Sequence, residues 1–226
     1  MEVIILAAGR GTRMAPLTDT IPKPMLSVLG KNLIEWKLEA LPDGVSHIIF
    51  VVGYKKEVIQ DYFGTSWKGI PITYIEQKTL DGTGGAIALC EPYINKKALI
   101  LMGDDIYNKE DILRISALDY AILVLDEGEE GLKKKGQVVE KEGLLVGLNE
   151  GQSQTNTPSS LINAAAYSIS KEYFKYPLVK VSETEFGLPH TLVSVTKDIP
   201  VHVVRATWWI QVTTPECLNR ASNLLS

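Results

Sequence analysis

Short runs of aliphatic and β-branched residues recur along the first half of the chain, separated by segments with helical spacing. Residues 3–6 (Val-Ile-Ile-Leu) form an unbroken apolar run closed by Ala7-Ala8-Gly9. Residues 47–52, 72–75 and 98–102 repeat the pattern, closed by Gly53, by Gln77 and by Gly103-Asp104-Asp105. Between them, 32–41, 57–63 and 84–89 read as helices, the first stopped by Pro42-Asp43-Gly44. Strands that are apolar along their whole length and alternate with helices predict parallel pairing in a sheet covered on both faces. Ligands of such sheets bind outside the carboxyl ends of the strands. The polar and glycine-rich segments fall at those ends.

The texture changes after Asp119. Residues 120–125 read as a further central strand. Residues 137–141 and 144–148 flank Glu142-Gly143, a hairpin signal. Residues 152–160 are polar, contain Pro158 and read as a loop. Residues 161–169 read as a strand, 186–195 as a helix, 201–204 and 208–212 as strands, and 215–225 as a closing helix. No internal repeat is visible.

The sharpest chemical feature is Leu6-Ala7-Ala8-Gly9-Arg10-Gly11-Thr12-Arg13-Met14. Glycines let backbone N–H groups approach phosphate oxygens without a Cβ in the way, and Arg13 adds a rigid fork of donors. No Gly-Lys-Ser/Thr follows, so this is no Walker loop. Met14 stands where a dinucleotide fingerprint needs its third glycine. A bare Gly-x-Gly also reads as an ordinary tight turn. Pro22-Lys23-Pro24 shifts the balance, because two prolines fix the backbone around one lysine. A lysine held so stiffly loses less entropy on meeting an anion.

With these residues in view, the segment 4–34 closely resembles the signature of sugar-phosphate nucleotidyltransferases, and weaker matches continue to Leu218. The resemblance implies an α/β fold, a Rossmann-like three-layer α/β/α sandwich with a mixed, mostly parallel central sheet. It implies a single domain with a nucleotide half (about 1–110) and a sugar half (about 111–226). Leu6, Ala8 and Gly9 would line the nucleoside, Gly11, Thr12 and Arg13 would hold the triphosphate, and Lys23 would reach the phosphates in transfer. Gln77, followed by Gly82 and Thr83, would read the base. An amide offers a donor and an acceptor together, which suits the imide edge of uracil or thymine, although Gln77 also reads as a surface residue at a strand end. Asp104 would hold Mg²⁺ on the phosphates, or else serve as a turn or N-cap aspartate. Gly136, Glu150 and Asn163, each weak alone, resemble sugar-contacting residues, and Glu185 is a further candidate.

Two departures from the family pattern matter. Gln211 stands where the family's second metal-binding aspartate belongs, and Gly151 stands where relatives often carry a lysine. The expected reaction is nucleotidyl transfer from an NTP, UTP or dTTP favoured, to a sugar 1-phosphate, with Arg13, Lys23 and Asp104 as the catalytic set. Gln211, a weak metal ligand at best, motivates the alternative of a catalytically impaired protein that binds a nucleotide or nucleotide sugar.

Bulk properties narrow this only at the margins. A net charge of −4 over 226 residues, without a basic stripe, argues against nucleic acid. The acidic N-terminus lacks the pattern of a signal peptide, and no apolar run reaches the ~20 residues of a membrane span. A cytoplasmic location follows as the expectation. Cys90 and Cys217 are far apart and read as buried or half-buried thiols of a reducing compartment. Trp208, Trp209 and the closing helix offer an apolar surface for self-association.

Overall fold

The structure, a computed structural model, describes residues 1–132, 136–149 and 159–225. It begins with strand β1 (Glu2–Ala7), three single 3₁₀ turns, and the short strands β2 (Ser27–Val28) and β3 (Lys31–Asn32). Helix α1 (Leu33–Glu39) opens with a reciprocal cap: Asn32 Oδ1 accepts from Glu35 N at 2.9 Å, and Glu35 Oε2 accepts from Asn32 N at 2.8 Å. It ends two residues before the sequence pattern does, with Ala40 N turned back onto Lys37 O.

Strand β4 (His47–Val52), helix α2 (Lys56–Phe63), and strands β5 (Ser66–Trp67) and β6 (Ile70–Glu76) follow. Helix α3 (Gly82–Ala88) starts two residues earlier than expected and takes the glycines inside it. Strands β7 (Lys97–Met102) and β8 (Asp105–Tyr107), helix α4 (Lys109–Ser116), strand β9 (Ala121–Asp126) and the single-turn helix α5 (Gly128–Gly131) come next. The hairpin β10 (Gln137–Lys141) and β11 (Leu144–Asn149) turns through Glu142 and Gly143, both at positive φ (55° and 78°). That is the geometry its two-residue loop requires. The chain closes with β12 (Leu161–Ser170), α6 (Leu188–Val195), β13 (His202–Arg205), β14 (Trp209–Gln211) and α7 (Pro215–Leu225).

One ten-stranded sheet takes strands from both ends of the chain, in the order β10-β11-β13-β9-β12-β7-β1-β4-β6-β5. It is mixed, as expected, but not mostly parallel. The pairings β7–β1, β1–β4, β4–β6 and β13–β9 are parallel. The pairings β12–β7, β12–β9, β10–β11, β10–β12, β11–β13 and β5–β6 are antiparallel. β12 runs against both of its main neighbours, because a hairpin precedes it instead of a crossover helix.

Both faces of the sheet are covered. Ile4, Ile49 and Ile100 pack with Ile87 of α3 and Leu188 and Leu192 of α6. Val3, Ile5 and Phe50 pack with Ile34 of α1, Phe63 of α2 and Ile112 of α4. Coverage on two sides is the reason these strands are apolar throughout and do not alternate. A third cluster, including Met14, Leu33, Ile210 and Ala221, seats α7 and the β8–β14 pair. Trp208 packs against that cluster and Trp209 against the second, so both side chains are engaged within the chain. Cys90 is buried and Cys217 half-buried, and both are free thiols. Among the described residues, no helix is long and apolar enough to cross a membrane.

Candidate functional site

β1, β4, β6 and β7 run in one direction, so their carboxyl ends share one edge of the sheet. The chain leaves β1 toward β4 and β6 on one side and returns as β7 on the other. A crevice opens where the strand order reverses. A cavity of about 380 Å³ lies there, within the range of small-molecule sites.

The first wall is the loop after β1. Gly11 sits at φ +65°, and a Cβ there would lie 2.8 Å from Lys23 Cβ. Only glycine lets the loop lie against the Lys23 stem. Thr18 Oγ1 donates to Gly11 O at 3.1 Å and fixes the loop from behind. Lys23 opens a 3₁₀ turn, Lys23–Met25, that follows extended Pro22. It is only 6 % exposed, and its ammonium forms an ion pair with Asp104. Arg13 is exposed and also lines the cavity.

The second wall follows β6. Gln77 is buried and lines the cavity. Its amide N–H groups point inward, to Asp81 Oδ1 at 2.9 Å and Gly82 O at 3.1 Å. Both donors hold the 77–82 turn. Gly82 is at φ +88°, and a Cβ there would lie 2.4 Å from Phe186 O. That close approach lets the 180–187 segment strap the turn. Phe186 N donates to Asp81 O and Gly84 N to Phe186 O, both at 2.8 Å, and Leu188 N donates to Thr83 Oγ1 at 3.0 Å. The strap carries Glu185 into the cavity lining.

The third wall is the turn after β7. Asp104 lines the cavity, with its side chain 35 % exposed. Asp105 turns away and is 1 % exposed. Its Oδ2 accepts from Trp209 Nε1 at 3.1 Å, and its Oδ1 has no hydrogen-bond partner among the described residues. Burial, reinforced by the charge of Asp104, holds the Asp105 carboxyl well above the usual carboxylate range. Lys37, on α1, lies behind the same turn. Burial pulls its ammonium down to about 7, against the opposing pull of Asp105 and Asp104.

A family model for nucleotidyl transferases matches residues 2–121. The chain belongs to that family. Among the family's curated members, the bifunctional protein GlmU of Methanocaldococcus jannaschii is 36% identical over 185 residues, covering 81% of this chain and 43% of the relative. The D-glycero-alpha-D-manno-heptose 1-phosphate guanylyltransferase of Campylobacter jejuni is 31% identical over 176 residues, covering 77% of this chain and 78% of the relative. The crystal structure of a UDP-glucose pyrophosphorylase complexed with UDP-glucose superposes with a TM-score of 0.81 at 24% identity, over 99% of this chain and 97% of that one. At that identity the likeness speaks for the fold. The chain spans about half the length of the GlmU relatives it matches, 43% for the first.

The site residues expected from sequence divide sharply by position. Leu6, Ala8, Gly9, Gly11, Thr12, Arg13, Lys23, Gln77, Gly82, Thr83, Asp104 and Glu185 line the one cavity. Gly136 and Asn163 do not. Asn163 instead holds a bulge in β12. Its Oδ1 accepts from Ala165 N at 2.9 Å, its Nδ2 donates to Tyr167 Oη at 2.8 Å, and Ala165 takes φ +55°. Gly136 O accepts from Asn163 N at 2.9 Å, tying that glycine to the same bulge. Both polar groups of the Asn163 amide take part in this local network. Gln211 is exposed on β14 and is not among the lining residues, whereas Thr213, two residues later, is. Glu150 and Gly151 lie outside the described residues.

Sequence reasoning passed over Leu80, Met102, Thr213 and Lys37. The first three carry no local signal, since only the closing of the sheet edge brings them to the cavity. Lys37 carried one: it falls four residues after Leu33 and three after Ile34, on the apolar face of its helix.

Asp104 also bears on whether a divalent cation suits the site. Among the described residues, no group of three or more His, Cys, Asp or Glu side chains gathers in ligating distance. Mg²⁺, however, usually takes only one or two carboxylates and completes its shell with substrate phosphates and water. Asp104 already holds one cation, the Lys23 ammonium, beside the loop after β1. The donor set fits an ion that arrives with a nucleotide, not a caged structural metal.

Proposed function

We propose that this chain transfers a nucleotidyl group from a nucleoside triphosphate to a sugar 1-phosphate, releasing pyrophosphate. The observation that carries the reading is the convergence of Arg13, Lys23 and Asp104 with an open glycine turn on one cavity. Two polyanions must be brought together in this reaction, so positioning and cationic stabilisation supply most of the rate. A sugar 1-phosphate is already an anionic nucleophile at neutral pH, and no protein base is required. Its phosphate oxygen attacks the α-phosphorus in line, the bond to the bridging oxygen breaks, and pyrophosphate leaves with that electron pair.

Lys23 meets the α-phosphate and the incoming phosphate, releasing Asp104 as it moves. Arg13 and the backbone of residues 9–12 hold the leaving pyrophosphate. A Mg²⁺ held by Asp104 would neutralise charge on the phosphate oxygens. Glu185, carried on the strap, accepts from sugar hydroxyls. Leu6 and Ala8 form the apolar bed of the nucleoside, beside Met102. The two covered sheet faces are what a three-layer sandwich requires, with the nucleotide half in the parallel strands and the sugar half beyond β12.

Because its N–H groups are committed, Gln77 offers only Oε1 to the base. A lone acceptor takes an N–H from the ring imide of uracil, thymine or guanine, or from the exocyclic amino group of cytosine, adenine or guanine, so Oε1 by itself does not choose the base. The spacing from Gln77 to Gly82 resembles that of the thymidylyl and uridylyl enzymes, and that resemblance favours UTP or dTTP.

Protein mixed with Mg²⁺, UTP or dTTP, and glucose 1-phosphate should release pyrophosphate. Gln211, a neutral amide in place of a carboxylate, supports a second reading as a nucleotide sensor. Calorimetric nucleotide binding without pyrophosphate would select that reading.

A further inference from the structure

A fully buried lysine on an apolar helix face demands an account. Lys37 is 1 % exposed, and its ammonium donates to Leu33 O at 2.8 Å, one turn back on α1, and to Gly103 O at 3.0 Å, across the chain. A methionine would fill the same space without the desolvation that a buried charge suffers.

What Lys37 grips is the peptide that leads into Asp104. Gly103 N donates to Leu6 O at 2.8 Å, so the turn is tied to the end of β1. Gly103 O is held by Lys37 from behind. Val212 N donates to Asp104 O at 3.3 Å, which ties the next peptide to the segment after β14. Asp104 is therefore fixed on either side by its backbone, and only its carboxylate faces the cavity. Of these ties, Lys37 alone is a side chain and alone can be removed by substitution.

We propose that Lys37 is a positioning residue that aims the Asp104 carboxylate at the place where a nucleotide-borne divalent cation would sit, by holding Gly103 O from outside the cavity. The proposal rests on the nucleotide-transfer reading for its ligand. Groups one layer behind a ligating carboxylate orient it, and their loss costs about 10- to 100-fold in metal affinity or activity. Lys37 touches no substrate, and its influence runs through Asp104. An effect that runs through Asp104 must vanish once Asp104 can no longer ligate.

The test is a double-mutant cycle on the full chain. Mn²⁺ is titrated calorimetrically in the presence of whichever of UTP, dTTP and GTP the wild type binds best. Lys37→Met should weaken Mn²⁺ binding about 10-fold or more. KM for the sugar phosphate should stay within about 3-fold, since that substrate is not held by Asp104. In the Asp104→Ala background, which has no ligating oxygen at that side chain, Lys37→Met should change Mn²⁺ affinity by less than about 2-fold. A loss of equal size in both backgrounds, or none in the first, overturns the proposal. If Lys37→Met folds poorly, Lys37→Met with Asp105→Asn removes the two buried ionisable groups together, and the same cycle is run from that pair. Because the readout is binding, it decides the role of Lys37 even if no pyrophosphate is formed. Absence of any Mn²⁺–nucleotide binding by the wild type sinks both readings.

Discussion

The two halves of the central sheet meet at β12, and they do different things with the same materials. On the β7-β1-β4-β6 side the strands are parallel, and the loops after β1, β6 and β7 line one cavity at the shared edge. On the β10-β11-β13-β9-β12 side most pairings are antiparallel, so the strand ends are divided between the two edges. Ten of the twelve expected site residues that reach the cavity precede Gly84, Asp104 follows β7, and Glu185 alone comes from beyond β12. Gly136 and Asn163, placed by resemblance in the second half, serve a bulge within the sheet. A parallel sheet gathers its strand ends, whereas an antiparallel one scatters them unless a long segment reaches back. The strap at 180–187 is that segment.

The comparison can be broken most forcefully at the parallel edge. Lys23→Ala should lower turnover by about 10²-fold or more, as removal of one transition-state donor does. Steady-state pyrophosphate release measures it, and an unchanged rate would remove Lys23 from the chemistry.

The link between the halves is the next target. Gly82→Ala forces a Cβ against Phe186 O and strains a φ of +88°. It should destabilise the fold by roughly 1–3 kcal/mol and weaken nucleotide binding about tenfold, because the strap and the turn after β6 are one hydrogen-bonded unit. Thermal unfolding and calorimetry read the two effects separately. A variant that lost stability but kept full affinity would show that the strap serves only the fold.

Gln211→Asp should strengthen divalent-ion binding by about 3-fold or so, a carboxylate being a better ligand for a hard cation than an amide. The effect is small because position 211 is not among the cavity-lining residues. Rate measured against Mg²⁺ concentration in both forms tests it, and a drop in affinity would give Gln211 a role of its own.

The mildest contrast is between the two thiols. Burial pushes the Cys217 thiol up, but hydrogen bonding with the Thr214 hydroxyl and the backbone of Thr213 and Thr214 outweighs it and draws the group down to about 7. Burial alone lifts Cys90 to about 12. Alkylation of the native protein should therefore rise through pH 7 as the Cys217 thiolate forms, leaving Cys90 untouched until unfolding. Mass spectrometry of digests separates the sites. Reaction at Cys90 first would contradict the burial on that side of the sheet.

Much of this was legible in the chain itself. The runs at 3–6, 47–52 and 98–102 could only be strands covered on both faces, because no alternating pattern offers a wet side. The tight turn at Gly11 and the constrained Pro22-Lys23-Pro24 stretch were visible because backbone constraint is local. Glu142-Gly143 announced a tight hairpin for the same reason.

Contacts between segments distant in sequence were not legible. The antiparallel insertion of β12 depends on which hairpin precedes it and where its bulge falls. That the folded turn engages the Gln77 N–H groups was not visible either. Lys37 shows the division within one residue. Its spacing from Leu33 and Ile34 placed it on the buried face, but its partner, Gly103 O, is 66 positions away in sequence. Sequence determines which groups leave water, because that follows from periodicity. Only the assembled sheet decides which buried group finds which partner, because that depends on strand order.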